Sequence, residues 1–456
     1  MKDIKFRKGF VLGIIFLFVG AGVIPSTGTT VENTTFTAIK SSSYIQNLID
    51  NASDGDTIYI PSGIYYENIE IDKSIDLIGE DKNTTIIDGS RIYNTVSISA
   101  DWVNISNFTI QNGSGSTASR HAGILIYSSH CTITNNIITD NKHGLILSNY
   151  DYNTVAHNII SNNDLHGLLL LNSIGNTIID NLFFNRGIYI YDSPYHASCH
   201  NIIKCNMINS KPLVYLENES DLIISDAGQV LLVECNNIKV ENSNLSNIFV
   251  GIGLWDSKNC QISNNNFSNN IFGIEITESN RTNITDNYIS YNNYGIHLRY
   301  SNFNSIKNND IISNSDDGIY FYKSKFNTIF DNFINNNDIG IEFSYKSRFN
   351  TIKNNNILNN DEGILLIDTF LGSFLEGSTF NLIIKNNFID NDRDAFFRNS
   401  RINRWSQNYW NETQTLPKLI FGELFYTTLV GLGFIPHHIP WIPQIDWRPA
   451  KEPYDI

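Results

Sequence analysis

Ten stretches of the chain repeat one pattern, a glycine followed by alternating apolar residues. The first four are Gly123-Ile124-Leu125-Ile126, Gly144-Leu145-Ile146-Leu147, Gly167-Leu168-Leu169-Leu170 and Gly187-Ile188-Tyr189-Ile190. After a gap come Gly251-Ile252-Gly253-Leu254, Gly273-Ile274-Glu275-Ile276 and Gly295-Ile296-His297-Leu298. Gly318-Ile319-Tyr320-Phe321, Gly340-Ile341-Glu342-Phe343 and Gly363-Ile364-Leu365-Leu366 complete the series. Within each series the glycines recur every 20 to 23 residues. Across the gap, Gly228 precedes Gly251 by 23 residues and follows Gly187 by 41, room for two coils. Alternation with period two is strand periodicity, not the 3.6 of a helix.

A second marker keeps the beat. Asn followed by Thr or Ser and then Val or Ile occurs at Asn153, Asn176, Asn304, Asn327 and Asn350. Another Asn and an apolar pair soon follow, as in Asn332-Phe333-Ile334. Three short strands with turns fill one such unit, which predicts an all-β parallel β-solenoid of about 14 rungs. Equivalent residues then stack about 4.8 Å apart. Asn side chains in register can bond up and down a ladder, and glycine is expected where the chain turns sharply into a strand.

An open solenoid end must be capped, because free strand edges pair with other chains. Tyr44 to Ala52, with Ile45, Leu48 and Ile49 at helical spacing, predicts an N-terminal capping helix. Gly55 to Gly63 then opens the first rung. The stretches Gly55-Asp56-Thr57-Ile58-Tyr59-Ile60-Pro61-Ser62-Gly63, Ile75-Asp76-Leu77-Ile78-Gly79 and Thr85-Ile86-Ile87-Asp88-Gly89 resemble the opening of right-handed parallel β-helix proteins of the pectin-lyase type. The Gly-Ile-x-Leu and Asn-Thr-Ile rungs resemble the NosD-like, carbohydrate-binding and sugar-hydrolysis group over residues 44–410. That fold hosts lyases, hydrolases, adhesins and accessory proteins, so the resemblance speaks to fold more than to function. The NosD name implies a periplasmic copper-accessory role, for which this chain offers no Met cluster and no dense Cys/His site.

The chain has 456 residues, about one in seven of them Asn. Its 31 basic and 46 acidic residues give a net charge of −15. An acidic balance excludes a nucleic-acid partner, which requires a basic face. Cys131, Cys199, Cys205, Cys235 and Cys260 show no C-x-x-C spacing and are expected as buried thiols. Lys2, Lys5, Arg7 and Lys8 before the apolar run Gly9–Ile24 read as a signal peptide or, if uncleaved, a membrane anchor over residues 1–26. Residues 27–43 read as a linker, 44–410 as the repeat domain and 411–456 as a C-terminal capping segment or tail. The body is expected outside the cytoplasm, secreted or anchored at the cell surface. The sequons at Asn104, Asn107, Asn266, Asn283 and Asn411 fit that side. Apolar Leu419–Pro436, broken by Glu423, is expected to pack over the end of the core rather than to span a membrane.

A solenoid turns sequence into a grid. With glycine as position zero, +1 and +3 point inward while +2 and +4 point outward. The +2 column reads Tyr189, Val230, Gly253, Glu275, His297, Tyr320 and Glu342; the +4 column reads Tyr191, Trp255, Thr277, Arg299, Tyr322 and Ser344. Trp255, Glu275, His297, Arg299, Tyr320, Tyr322 and Glu342 form a candidate substrate-binding patch for a polysaccharide or surface glycan. Aromatic rings stack on sugars, and the polar groups bond hydroxyls or carboxylates. The same residues also suit an ordinary solvated sheet face.

Asp316, Asp317, Asp338 and Asp361 stack before the glycines and are the candidate catalytic carboxylates of a polysaccharide lyase or glycoside hydrolase. Neighbouring rungs set them about 5 Å apart and alternate rungs about 10 Å, bracketing the separations of retaining and inverting glycosidases. Calcium is the other use such a column offers, and turn residues before glycine are the plain reading. His143 and His166 form a second stacked pair, read as a turn pair because no third ligand accompanies them. Glycan binding, an enzyme and a structural rod therefore stand side by side. A groove shared by the Asp and aromatic columns favours an enzyme; opposite faces do not.

Overall fold

Strands of three to six residues alternate inward and outward side chains, and the inward rows build the core. In the computed structural model, which describes residues 2–3, 43–114, 121–191, 200–368, 377–411, 417–430 and 433–456, each coil places its three strands in three parallel sheets. The strands of the sheet that carries the glycine column are β1 (His143–Ser148), β2 (His166–Leu171) and β3 (Ile188–Tyr191) in an N-terminal arm. In a C-terminal arm they are β4 (Lys211–Glu217), β5 (Gln229–Val233), β6 (Val250–Trp255), β7 (Phe272–Thr277), β8 (Tyr294–Arg299), β9 (Asp317–Tyr322), β10 (Ile339–Ser344), β11 (Glu362–Ile367) and β12 (Arg393–Arg398). From β6 to β11 the pairing is parallel and in register, so Ile252, Ile274, Ile296, Ile319, Ile341 and Ile364 form one buried row. The chain is a parallel β-helix, as its rungs led us to expect, and right-handed, as the resemblance implied.

The Asn excess is structural. Asn287 N–H donates to Asn309 Oδ1 (3.1 Å), Asn309 N–H to Asn332 Oδ1 (3.0 Å) and Asn332 N–H to Asn355 Oδ1 (3.0 Å). The Asn309 amide also donates to the carbonyls of Ile284 and Lys307. Each ladder Asn thus satisfies turn groups that would otherwise be buried unpaired, at about 1 kcal/mol net per bond. Ser257, Ser279, Ser301 and Ser324 run a similar ladder in a neighbouring turn.

The glycines have a different reason from the expected one. They lie within the strands and their φ is not positive. A Cβ on Gly295 would sit 2.5 Å from the carbonyl oxygen of Gly318, and one on Gly318 would sit 2.7 Å from that of Gly340. Close approach of stacked backbones, not a sharp turn, leaves no room for a Cβ at Gly295 and Gly318.

The N-terminal end is closed by α1 (Tyr44–Asn51), with Ile45 and Ile49 buried and the Glu67 carboxylate accepting the N–H groups of Ile45 and Gln46. Leu48, expected on the buried face, is at the surface. At the other end, two ladders stop on the C-terminal segment. Asn403 N–H donates to Gln444 Oε1. Buried Asp446 accepts from the N–H groups of Gln407 and Asn408, the Asn408 amide and the Trp410 indole. Between them β13 (Gly422–Val430) continues the sheet of β12 and pairs antiparallel with β14 (Gly433–Pro440), so the apolar stretch forms a hairpin. No helix among the described residues is long and apolar enough to cross a membrane. All but residues 2–3 of the expected signal or anchor segment lie outside the described residues, as do all but the last residue of the linker.

The repeat is not continuous. β3 is the last strand of its sheet, and β4 folds back antiparallel on the strand Met207–Ile208 before starting the next sheet. Register places Gln229 opposite Gly251 through the Val230–Ile252 pair, so Gln229, not Gly228, takes the glycine position and Leu231 the +2 position. The Gln229 amide explains the exception. It accepts the Ile188 N–H (3.0 Å) and donates to the carbonyls of Ile188 (2.8 Å) and Val250 (3.0 Å), capping the free edge of β3. Leu231, Val233, Phe249 and Trp255, which face out of the C-terminal arm, belong to the apolar core of the N-terminal arm. Val230, Leu232, Ile252 and Leu254, alternating with them, belong to the other core. The C-terminal arm therefore begins by laying its outer face across the open end of the N-terminal arm.

Candidate functional site

Where the arms meet, the outer face of β2 and β3 packs on Phe249 and reaches β7. Tyr189 of β3 donates from its hydroxyl to Glu275 Oε1 of β7 (3.3 Å), a bond between residues 86 apart in sequence. Register then aligns Glu275, His297, Tyr320 and Glu342 on four consecutive strands, spanning about 14 Å. His297 Nδ1 lies 3.9 Å from Glu275 Oε1. Phe272 stacks on His297 (centroids 5.2 Å, 16°), and Tyr320 is tilted against it at 5.0 Å. Tyr294 contacts both His297 and Tyr320. On the N-terminal arm His143 and His166 share a bond between their Nδ1 atoms (2.7 Å), and His166 stacks on Tyr189 at 5.2 Å. A ring column therefore runs across the junction.

Burial sets the electrostatics. Desolvation pushes Glu275 up to about 7, against the lowering effects of the Tyr189 bond and the Arg299 guanidinium. Desolvation, with Arg299 adding to it, pulls His297 down to about 3. Burial raises Asp317 well above the usual carboxylate range, reinforced by Glu342, while Glu342 is pushed up to about 7, chiefly by burial. Tyr189, Tyr294 and Tyr320 are likewise raised by burial and stay protonated. Several polar atoms here are buried with no hydrogen-bond partner: His166 Nε2, Glu275 Oε2, His297 Nδ1 and Asp317 Oδ1. Such atoms cost about 1–3 kcal/mol each unless a ligand satisfies them.

The structure gathers most, not all, of the candidate residues. Glu275, His297, Arg299, Tyr320 and Glu342 share the corner, but their face is not a solvated surface: Glu275 is only 4% exposed and Glu342 8%. Trp255 is 6% exposed, its indole folded over Gly253, so it is wall between the arms rather than an open sugar platform. Tyr322 is farther along, packed with Tyr300, Tyr345 and the Lys323 ammonium. The Asp column divides. Asp317 faces the corner and Asp316 bonds the Tyr294 hydroxyl, whereas Asp338 and Asp361 are exposed turn residues at its rim. Tyr189, Phe272, Tyr294 and His166 were not in the candidate set. Tyr189 stood in the +2 column, and Phe272 and Tyr294 occupy the position of His143 and His166 just before glycine.

Among the described residues no three His, Cys, Asp or Glu side chains are grouped to hold a metal. A calcium cage is therefore not built by the Asp column. Cys131, Cys235 and Cys260 are buried, as expected, but Cys205 is exposed; Cys199 lies outside the described residues.

The sequence profile of the family described as "Periplasmic copper-binding protein (NosD)" matches residues 49–224 and 214–426, meeting where the two arms meet. No curated protein matches the chain. Among solved structures, the A-module of the Azotobacter vinelandii mannuronan C-5 epimerase AlgE4 is similar at 13% identity and a TM-score of 0.35, over 82% of this chain and 92% of that one. The periplasmic alginate epimerase AlgG is similar at 13% identity and 0.32, over 79% and 82%. The pectin methylesterase of Yersinia enterocolitica is similar at 12% identity and 0.29, over 48% and 90%. At this level of identity and superposition none of these likenesses bears on what the chain does. Copper, which the family description implies, does not fit the donors among the described residues. His143 and His166 bond each other directly, no third His, Cys, Asp or Glu among the described residues groups with them, and the described cysteine thiols are free, three of them pushed up by burial.

Proposed function

This chain belongs to the NosD family, and from that premise we propose that it is an extracytoplasmic β-helix protein that binds a polysaccharide or surface glycan in the corner between its arms. The observation that carries the reading is the set of buried, unpartnered polar atoms on Glu275, His297, Asp317 and His166, facing a region rimmed by aromatic rings. Sugar hydroxyls supply both donors and acceptors, and sugar faces pack on rings, so one ligand class meets both needs. The basic-then-apolar segment 1–26 supports export, as a leader or as an anchor. The test is glycan-array binding followed by calorimetry on the best glycan. Arg299→Ala and Tyr320→Ala should each weaken binding about tenfold, the loss of one good contact. Unchanged affinity in both variants moves the site elsewhere, and no saturable binding to any glycan refutes the reading.

A further inference from the structure

We propose that a ladder of exposed phenylalanines on the C-terminal arm, flanked by Lys and Arg, seats that arm on the surface of an anionic lipid bilayer. The ladder occupies the turn that follows β8 to β12, and the inference is independent of the glycan reading. Phe303, Phe326, Phe349 and Phe380 stack ring on ring, with centroids 5.1, 5.1 and 5.4 Å apart and planes within 7° of parallel. Each stands just before an Asn of one ladder, from Asn304 to Asn381, and Ile402 stands likewise before Asn403. All five are 42–54% exposed. The backbone of this column is left-handed, with φ of 54° and 56° at Asn237 and Asn259 in earlier coils and 57–60° from Phe303 to Ile402. Asn adopts that conformation readily, whereas bulky Phe and β-branched Ile do not. The fold alone would keep Asn here, so five apolar side chains in a row at a strained, solvent-facing position call for a surface to meet them.

Charge identifies that surface. From three residues before each ladder residue to four after it there is no Asp or Glu, in a chain of net charge −15, while Lys307, Lys325, Arg348, Lys353, Arg401 and Arg404 all fall there. Rings with basic neighbours are the composition of an interfacial membrane face, where the apolar groups enter the headgroup boundary and the cations meet anionic lipid. Coils stacked about 4.8 Å apart draw the row out to roughly 20 Å, a straight line suited to a flat partner. Trp447, 70% exposed, lines the same hollow as Ile402 and Arg404 and sets an indole at the end of the row, the side chain most at home at headgroup level. A second copy is the poorer occupant, because ladder on ladder would press two basic flanks together. The N-terminal arm supplies a contrast. Trp102, His130 and Tyr152 stack at the equivalent turn, with φ of 60–63°, but the residues before them are Asp101, Ser129 and Asp151.

The test is co-sedimentation of the full chain with vesicles of phosphatidylcholine, with and without phosphatidylglycerol. The wild type should partition onto the anionic vesicles and lose much of that affinity as salt rises. Phe326→Asn/Phe349→Asn supplies residues suited to the left-handed backbone, so the β-sheet circular dichroism should persist while partition weakens about tenfold. Lys325→Gln/Lys353→Gln should weaken it about 25-fold, near fivefold for each charge, on anionic vesicles alone. Trp102→Asn, on the acidic-flanked ladder, should change nothing. The apolar run Gly9–Ile24 is common to all these chains, so differences between them report the ladder. Vesicles should also shift the tryptophan emission to the blue, and Trp447→Phe should abolish that shift. Equal partition by every variant, or no preference for anionic lipid, overturns the inference. So does a wild-type dimer that binds no vesicles and that Phe326→Asn/Phe349→Asn dissolves, which assigns the ladder to a second copy. Glycan binding should be the same in all these variants, so this inference and the glycan reading fail separately.

Discussion

Replacing Glu275 by Gln should make the protein relatively more stable as pH rises. The carboxyl is raised from 4.5 to about 7 by burial, so between those values the folded chain keeps a proton that the unfolded chain has released. Stability from this group is fully present below about 4.5 and is lost as pH climbs through about 7. The difference of 2.5 units corresponds to about 3 kcal/mol. His297, lowered to about 3, has the opposite sign: the folded chain refuses a proton that the unfolded chain takes, so its contribution is lost as pH falls below about 6.5. These slopes oppose one another in the wild type, which masks both. Subtracting the wild type from Glu275→Gln removes every shared group and isolates Glu275. Denaturant unfolding followed by tryptophan fluorescence, at pH 4.5 and pH 7.5, reads the stability of each protein. The variant should gain about 3 kcal/mol on the wild type between the two. No change, or a gain in the opposite direction, would refute the reasoning, because it would mean that Glu275 is held ionised, as in a Glu275–His297 ion pair.

Three further outcomes follow from the architecture. Gly295→Ala puts a Cβ about 2.5 Å from the Gly318 carbonyl oxygen and should cost about 1–3 kcal/mol by overpacking, read as a lower unfolding midpoint. Gln229→Leu leaves the Ile188 N–H and C=O and the Val250 C=O without their shared partner; hydrogen exchange should quicken at Ile188 while the rungs from β8 to β10 keep their protection. Asp446→Ala removes the acceptor of five donors and should cost on the order of 3 kcal/mol, with proteolysis starting near the C-terminal cap.

The rungs were legible in the sequence because each satisfies the same local demands. A glycine avoids the carbonyl of the next coil, an Asn bonds the turn above, and the apolar residues alternate. Those demands recur every coil, so spacing alone recovers the register from β6 to β11. The break between the arms was not legible. Gly228 mimics the marker, while the residue that replaces glycine is Gln229, chosen for a bond to a strand 41 positions away. Sequence likewise showed which side of its own coil a residue faces, and Glu275, His297 and Trp255 do face outward. It could not show that a second arm lies there, which turns a presumed surface into a buried corner, brings Tyr189 to Glu275 and encloses Trp255. The Asp column illustrates the same limit: four similar turn positions, of which only Asp316 and Asp317 reach the corner.

The corner itself is the centre of this account, and a crystal structure with the best-binding glycan soaked in tests it most directly. The sugar should lie beside β3 and β7–β9, against the Tyr320 ring and the Arg299 guanidinium. Sugar density confined to other surfaces, or crystals that take up none while Glu275, His297 and Tyr189 keep the arrangement described above, would contradict it.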